Sequence, residues 1–358
     1  MLTDVSISRL TRGRAGRKTP DDIQSLLFRL WIVAFALKMV GSSWDVAWHF
    51  KWLRDDLAPP HLLNVVGSVL AMALVGLHWY TGFGVDKTAK RLLEVGIAIF
   101  MVAIPVDVIN HRVNGLDITS WSPSHALLYI GTALMLAGCC RTAAGHPVVQ
   151  GVFFAFFLEN WHFPAQHQEY GVLELRSWDA GRPYAEPSLL EFAAKQMGRP
   201  VDRVMVEEFS LPVSDWVYPL WTLAGGMLVL VVARRVIGRR WTATAIVTGY
   251  LAYRAAMWVF LDLAHFPASL LPVFLLAGAV TIDLCFHYLP NSPIAGALLV
   301  TMAGYAALFA QAFFASAPPY AYAALPVAGL LLSIGWYLTS RPLRLPPAAE
   351  RIGRPLRR

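Results

Sequence analysis

The chain is poor in charge, in cysteine and in the short motifs of soluble enzymes. Only 15% of its 358 residues are charged, whereas 56% are hydrophobic and the mean hydropathy is +0.50. That balance excludes an ordinary soluble domain. Apolar runs of the roughly 20 residues needed to cross a bilayer recur along nearly the whole length. There are 3 cysteines: Cys139 and Cys140 are adjacent, and Cys285 stands alone. Adjacent cysteines make a poor disulfide framework, and no C-x-x-C-H haem site is present; the three read as small apolar residues in helices. No Gly-rich phosphate loop and no Ser-His-Asp order occurs, and nothing in the chain reads as a flavin, haem or nicotinamide site. The 30 basic residues outnumber the 23 acidic ones, giving +7. They lie mostly in short clusters between apolar runs, as membrane orientation requires, so nucleic-acid binding is not expected. Residues 1–20 are polar and basic, and the first apolar run is too long for a signal-peptide core, so no removable leader is expected.

The expected fold is all-α, a polytopic membrane bundle of about ten transmembrane helices with duplicated helix pairs. The runs fall roughly over residues 25–43, 61–80, 92–109, 125–140, 148–161, 217–236, 241–263, 268–286, 294–314 and 320–338. The chain divides into a basic N-terminal segment (1–22), a motif-bearing region (23–141), a second region of helix pairs (146–290), two closing helices (291–340) and a basic tail (341–358). A long outer loop (167–215) contains a short amphipathic stretch, Pro187–Met197; loops of that length often act as lids or docking surfaces. The Lys/Arg clusters around Arg14, Lys90, Arg141, Arg235 and Arg344 are separated by even numbers of crossings. The positive-inside rule then puts them, and both termini, at the cytoplasmic face of a cell membrane.

Two stretches repeat one another in their polar residues. The first reads Asp45-x3-His49, then Asp55, Pro60-His61 and Gly67; the second reads Asp107-x3-His111, then Asp117, Pro123-Ser124-His125 and Gly131. Asp and His four apart share a helix face. The second His opens the next helix after a tight Pro turn, so it can return beside them. Ionisable groups are expensive in a bilayer and mark functional sites by default. A lone His more often ties loops together, but two copies of the pattern favour a metal. Asp with two His suits copper, zinc, iron or manganese, and spacing does not choose among them. Asp55 and Asp117 read as partners that orient the ligating rings, and Arg54 as an ion-pair partner of Asp55 or Asp56.

A second repeat follows: Phe157-Leu-Glu159-Asn-Trp-His162-Phe-Pro164-Ala returns as Phe260-Leu-Asp262-Leu-Ala-His265-Phe-Pro267-Ala. Pro is expected to end each helix just after the His. Glu159, His162, Asp262 and His265, with His167 joining the first copy, are candidates for another metal site, a proton relay or ring-orienting partners, evenly weighed against plain packing. The orientation above places all of them, with both Asp-His-His sets, at the external or periplasmic face. His78, beside Trp79 and Tyr80, reads as part of an interfacial aromatic belt. Arg29, Lys38 and Arg254 are the clear charges inside the helices, and Arg254 requires a partner or a wet cavity.

The segment Asp45-x-x-Trp48-His49-x4-Arg54-Asp55-x3-Pro59-Pro60-His61 resembles a motif in the C subunit of the copper membrane monooxygenases, the particulate methane and ammonia monooxygenase group. That motif reads Asp-x-Ser-Trp-His-x4-Arg-Asp-Thr-x-Phe-Thr-Pro-Ser-His. By this resemblance the three copper ligands fall on Asp45, His49 and His61. Pro123-Ser124-His125 matches the ending of the motif literally. A neighbouring copper site of the same subunit, Asn-x3-His-x13-His, is matched by Asp107, His111 and His125 with Asp in place of Asn. The turn before His61 is one residue shorter than in the family, and the resemblance spans only about residues 44–131. It implies a copper site, with zinc or iron as other occupants, more strongly than it implies methane or ammonia oxidation. The expected activity is that of a copper-dependent, monooxygenase-like oxidoreductase. Its substrate would be small and apolar and would arrive from the lipid bilayer. An external electron donor is required, and other membrane subunits or a homo-oligomer fit as partners. The alternative class is a membrane metal-binding or transport protein without turnover; a third is a structural subunit that binds no metal.

Overall fold

A computed structural model describes residues 10–53, 55, 57–114, 120–267 and 270–341, without the side chains of His111 and Asn114. Arg54, Asp56, Asp117, the imidazole of His111 and residues 342–358 of the expected tail therefore lie outside the described residues. Every regular element among the described residues is helical. In order these are α1 (Asp21–His49), α2 (Pro59–Thr81), α3 (Lys87–Asn114), α4 (Pro123–Thr142), α5 (Pro147–Asp179), α6 (Pro187–Met197) and α7 (Arg203–Ser210). Then α8 (Val217–Leu220), a π-helical turn (Trp221–Gly226) and α9 (Met227–Ile237) run on as one helix. They are followed by α10 (Thr242–Leu263), α11 (Phe274–Tyr288), α12 (Pro293–Phe314) and α13 (Ala324–Ser340). Among the described residues, seven helices are long and apolar enough to cross a membrane: α1, α2, α3, α4, the α8–α9 unit, α10 and α12. The chain is a multi-pass membrane protein by that measure. α11 and α13 are shorter apolar helices packed against α12.

Glycine sets how closely the first four helices approach. α1 packs on α2, and α3 packs on α4. A Cβ at Gly67 would lie 2.7 Å from the Ala34 carbonyl of α1, and one at Gly131 would lie 2.8 Å from the Gly96 carbonyl of α3. Small residues at such crossings allow backbone-to-backbone packing, which drives helix association where apolar burial gives little advantage over lipid. Inside, Trp31, Phe35, Met135, Phe153 and Leu223 belong to one continuous apolar core. Outside, Val65, Val69, Ile104 and Val108 remain exposed, as lipid-facing side chains must.

α5 departs from the sequence expectation. Pro164 does not end it; the helix continues through His167 to Asp179. Proline in a helix interior removes one hydrogen bond and costs about 3 kcal/mol in water. Here the stretch is enclosed by protein: Gln166, Gln168, Glu169, Tyr170, Gly171 and Glu174 are all buried. A protein-enclosed proline is tolerated where neighbouring groups and local adjustment meet the disturbed backbone; the turn before α4 also touches this point, where Ser120 Oγ donates to the Pro164 carbonyl at 2.9 Å. The span 167–215 is consequently a helical cap rather than a loop. Pro187–Met197 is the amphipathic helix α6, and α7 follows it. A Cβ at Gly171 would fall 2.0 Å from the Ser210 carbonyl, so α7 rests directly on α5. The Glu186 N–H donates to the Lys51 carbonyl at 2.9 Å, and Trp52 Nε1 donates to the Glu186 carboxylate, which ties the cap to the end of α1.

The buried charges find partners. Arg254 Nη2 meets Glu169 Oε2 at 2.5 Å and the Leu270 carbonyl at 2.8 Å, while Nη1 donates to Tyr250 Oη at 2.9 Å. Asp283 in α11 pairs with Arg234 and accepts the Thr244 N–H and hydroxyl, stapling the start of α10. His78 is not in an interfacial belt: it is buried, accepts from Trp31 Nε1 at 2.9 Å and hydrogen-bonds the Phe83 carbonyl through Nδ1.

Candidate metal centre

The hairpin between α1 and α2 builds the first cluster. Asp45 and His49 lie one turn apart in the last turns of α1, on one face. The chain reverses over a few residues, and Pro59 and Pro60 begin α2. Proline suits that position, since its fixed φ is already helical and its missing N–H would have no intrahelical partner. His61 is therefore set in the first turn of α2, facing back toward Asp45. Its Nε2 lies 2.7 Å from Asp45 Oδ1, and His49 Nε2 lies 3.4 Å from the same oxygen. One ligating atom from each of the three residues falls within 4.8 Å of the others. Ligands held tetrahedrally at 2.0–2.1 Å from an ion would be about 3.3 Å apart. The donor set thus fits a metal with small side-chain adjustments.

The hairpin between α3 and α4 repeats the plan. Asp107 is buried on α3. Ser122 caps α4 by accepting the His125 N–H at 3.3 Å, with Pro123 at the first helical position. His125 Nε2 comes to 3.6 Å from Asp107 Oδ1. α3 runs past His111 to Asn114, whereas α1 stops at His49.

Both hairpins open on one cavity of about 660 Å³. Asp45, His49, His61, Asp107, His125 and His167 all line it. Its wall is mostly apolar and includes the lipid-facing Val65 and Val69 of α2 and Ile104 and Val108 of α3. The cavity is therefore open sideways between α2 and α3. Leu189, Phe192 and Ala193 of α6 and Phe209 of α7 also line it, so the cap forms its roof. At its other end Lys38, about 10 Å along α1 from Asp45 at 1.5 Å per residue, donates to Asn64 Oδ1 (3.1 Å) and Ser68 Oγ (2.9 Å) and lies 3.9 Å above the Phe100 ring.

Other sequence candidates go elsewhere. Glu159 does not line the cavity; it is buried and accepts from Ser43 Oγ and Gln166 Nε2, both at 2.8 Å. His162 is likewise buried, hydrogen-bonded to the Leu158 carbonyl and stacked on Tyr250. Asp262 and His265 are exposed and do not join either cluster. Their copy of the motif ends with α10 at Leu263, and His265 takes a left-handed φ of 59° in the turn that follows. Asp55 is exposed and accepts the Leu57 N–H at 2.9 Å, so it shapes the turn rather than orienting a ring.

Two site features are only partly legible in the sequence. The cap residues that roof the cavity carry no polar signature. The Gln166–Glu169 stretch, which the run without Gly or Pro beyond Ala165 would have extended as helix, is masked by Pro164. The chain matches no protein-family model, and no curated protein and no solved structure is found to match it.

Proposed function

We propose that this protein is a copper-dependent, monooxygenase-like membrane oxidoreductase. In this reading the bundle makes ten crossings: the seven long apolar helices, the first half of α5, and α11 and α13. α1–α2 and α3–α4 are copies of one helix pair, which the matching roles of Gly67 and Gly131 and the matching Asp–His contacts support. Both termini are cytoplasmic, and the Asp/His clusters lie toward the external face.

The observation that carries the proposal is the convergence of Asp45, His49 and His61 at a mostly apolar cavity whose wall includes the exposed Val65 and Val69 of α2 and Val108 of α3. These three residues would hold the ion: one carboxylate supplies charge compensation, and two neutral imidazoles suit copper as they suit zinc or iron, and the resemblance of the motif selects copper. Bound reduced copper supplies O2 activation. The chain itself does the rest. The wall between α2 and α3 admits a small apolar substrate from the bilayer, and the α6–α7 roof keeps bulk water from the site. Asp45 and the two imidazoles provide the polar end against which the substrate's reacting carbon is placed. The overall balance is a C–H bond, O2, two electrons and two protons giving an alcohol and water; the electrons come from an external donor. Inward of the two aspartates the cavity wall offers Lys38, Asn64 and Ser68 but no further carboxylate, which disfavours the transport reading.

The test is incorporation of label from 18O2 into a short-chain hydrocarbon by copper-loaded protein in lipid vesicles with a chemical reductant. Labelled alcohol is expected from the wild type and none from Asp45→Asn. Label incorporation that is unchanged in Asp45→Asn overturns the proposal.

A further inference from the structure

The end of the cavity away from the Asp-His clusters carries a cation without an anion. Lys38 lines the cavity from α1, and its side chain is buried. An ammonium has three N–H donors. Two go to neutral oxygens, Asn64 Oδ1 at 3.1 Å and Ser68 Oγ at 2.9 Å, and the Phe100 ring lies 3.9 Å from Nζ. No carboxylate among the described residues acts on it. A buried charge is costly unless it is paired. Arg254 and Arg234 show the contrast, each held against a carboxylate, that of Glu169 and that of Asp283. The Lys38 stem is also fixed in place: a Cβ at Gly67 would fall 2.8 Å from Lys38 Cγ, so α2 lies directly against it.

The rest of the cavity restricts which anion fits. Its volume of about 660 Å³ lies within the roughly 300–1,000 Å³ of sites for small organic molecules and is far more than an inorganic anion fills. About 10 Å of α1 separates Lys38 from Asp45. Over that interval the wall is apolar: Val65 lies between His61 and Ser68 on α2, and Ile104 between Phe100 and Asp107 on α3, and both line the cavity. A ligand that matches this layout has one negative head and a single apolar chain. One ammonium balances one charge, which suits a carboxylate better than a phosphate dianion. The exposed Val65, Val69 and Val108 in the wall between α2 and α3 mark where such a chain enters from lipid.

We infer that the cavity binds a medium-chain monocarboxylic acid, with its carboxylate on Lys38 and the far end of its chain at Asp45, His49 and His61. The carboxylate site stands on the geometry of Lys38 alone. That its occupant is the substrate rests on the proposed oxidation chemistry, and narrows the substrate from any small hydrocarbon to a chain with an acid head. The C–H bond replaced is then at the chain end remote from the acid, with the same balance of O2, two electrons from the external donor and two protons, giving a hydroxy acid and water.

The first experiment is calorimetric titration of octanoate, and of octanol as an uncharged chain of equal length, into metal-free full-length protein in lipid nanodiscs, with the heat from empty nanodiscs subtracted. Saturable octanoate binding is expected for wild type. Octanol should bind more weakly by about tenfold or more, and Lys38→Met should lose about tenfold or more in octanoate affinity. No saturable octanoate binding overturns the inference, as does equal affinity of wild type and folded Lys38→Met; both leave the proposed function standing. Should Lys38→Met fail to fold, the wild type decides: octanol bound as tightly as octanoate overturns the inference. The second experiment supplies octanoate and 18O2 to copper-loaded protein with a chemical reductant. Label at the chain end remote from the carboxyl group is expected. Label beside the carboxyl group, or labelled alcohol from a short-chain hydrocarbon with none from octanoate, overturns the substrate assignment alone. No label in either compound removes that assignment together with the proposed function, and the titration still decides the carboxylate site.

Discussion

Replacing Arg254 by Met tests whether the bundle is closed around α5 and α10. The Arg254 and Glu169 side chains are 1% and 2% exposed and meet at 2.5 Å. The guanidinium also serves Tyr250 and Leu270, and the carboxylate also accepts the Tyr218 hydroxyl at 2.8 Å. Removing one member of such a pair leaves the other charge buried and unpaired, which costs about 3–5 kcal/mol. Arg254→Met and Glu169→Gln should each fall near that range. The double variant removes both charges, so it should cost less than the sum of the singles by about 2 kcal/mol or more. Unfolding in mixed micelles, followed by circular dichroism, gives the free energies. At about 2 °C per kcal/mol each single variant should also lose roughly 6–10 °C in Tm. Singles within about 1 kcal/mol of wild type, or a double variant equal to their sum, would refute the reasoning. The pair would then be hydrated, and α5 would not be enclosed as described.

Gly67→Ala and Gly131→Ala should each destabilise by about 1–3 kcal/mol, because the added carbons meet backbone carbonyls at 2.7 and 2.8 Å that cannot rotate aside. Gly76→Ala, with nothing within 4 Å of the added carbon, should be neutral or stabilising by up to about 1 kcal/mol; equal losses at all three positions in a thermal scan would contradict the close crossings. The cap should weaken as pH rises. Glu174 lies on the part of α5 beyond the apolar stretch, where burial pushes its carboxyl up to about 7 from an ordinary value near 4.5, against the Ala185 and Tyr184 N–H groups that favour the anion. The folded-state value is the higher one. The stabilising contribution is therefore complete below about pH 4.5 and is lost as pH climbs to about 7, with an upper limit of about 3 kcal/mol. Protection factors for amide hydrogen exchange over residues 184–211 should be lower at pH 8 than at pH 5 in wild type and should not change with pH in Glu174→Gln. Wild-type exchange whose protection factors do not change with pH would rule this out.

What could be read from the sequence was what local chemistry determines. Asp45-x3-His49 lies on one helical face by spacing alone, and Pro59-Pro60 starts α2 where His61 is needed. The amphipathic α6 has the bounds its pattern implies, Pro187–Met197. What was not legible depends on neighbours. Pro164 should end a helix in water, yet it is carried through because surrounding helices enclose the next turns. The nearly identical motifs at Glu159–His162 and Asp262–His265 diverge for the same reason. One continues into a buried helix, and the other stops at an exposed turn. The choice of which face of α5 meets the cavity also belongs to the packing: Glu159 and His162 turn to the core, whereas His167, five residues on, turns to the cavity.

The central claim is that Asp45, His49 and His61 hold copper. Elemental analysis of detergent-purified protein, wild type beside Asp45→Ala and His49→Ala after copper reconstitution, tests it most directly. Copper bound near stoichiometrically by wild type and lowered by one equivalent in each variant, with helical content unchanged, is the predicted result. Wild-type protein that takes up no copper, or variants that retain every equivalent, would contradict the claim, and the cluster would then be a hydrogen-bonded link between two hairpin ends.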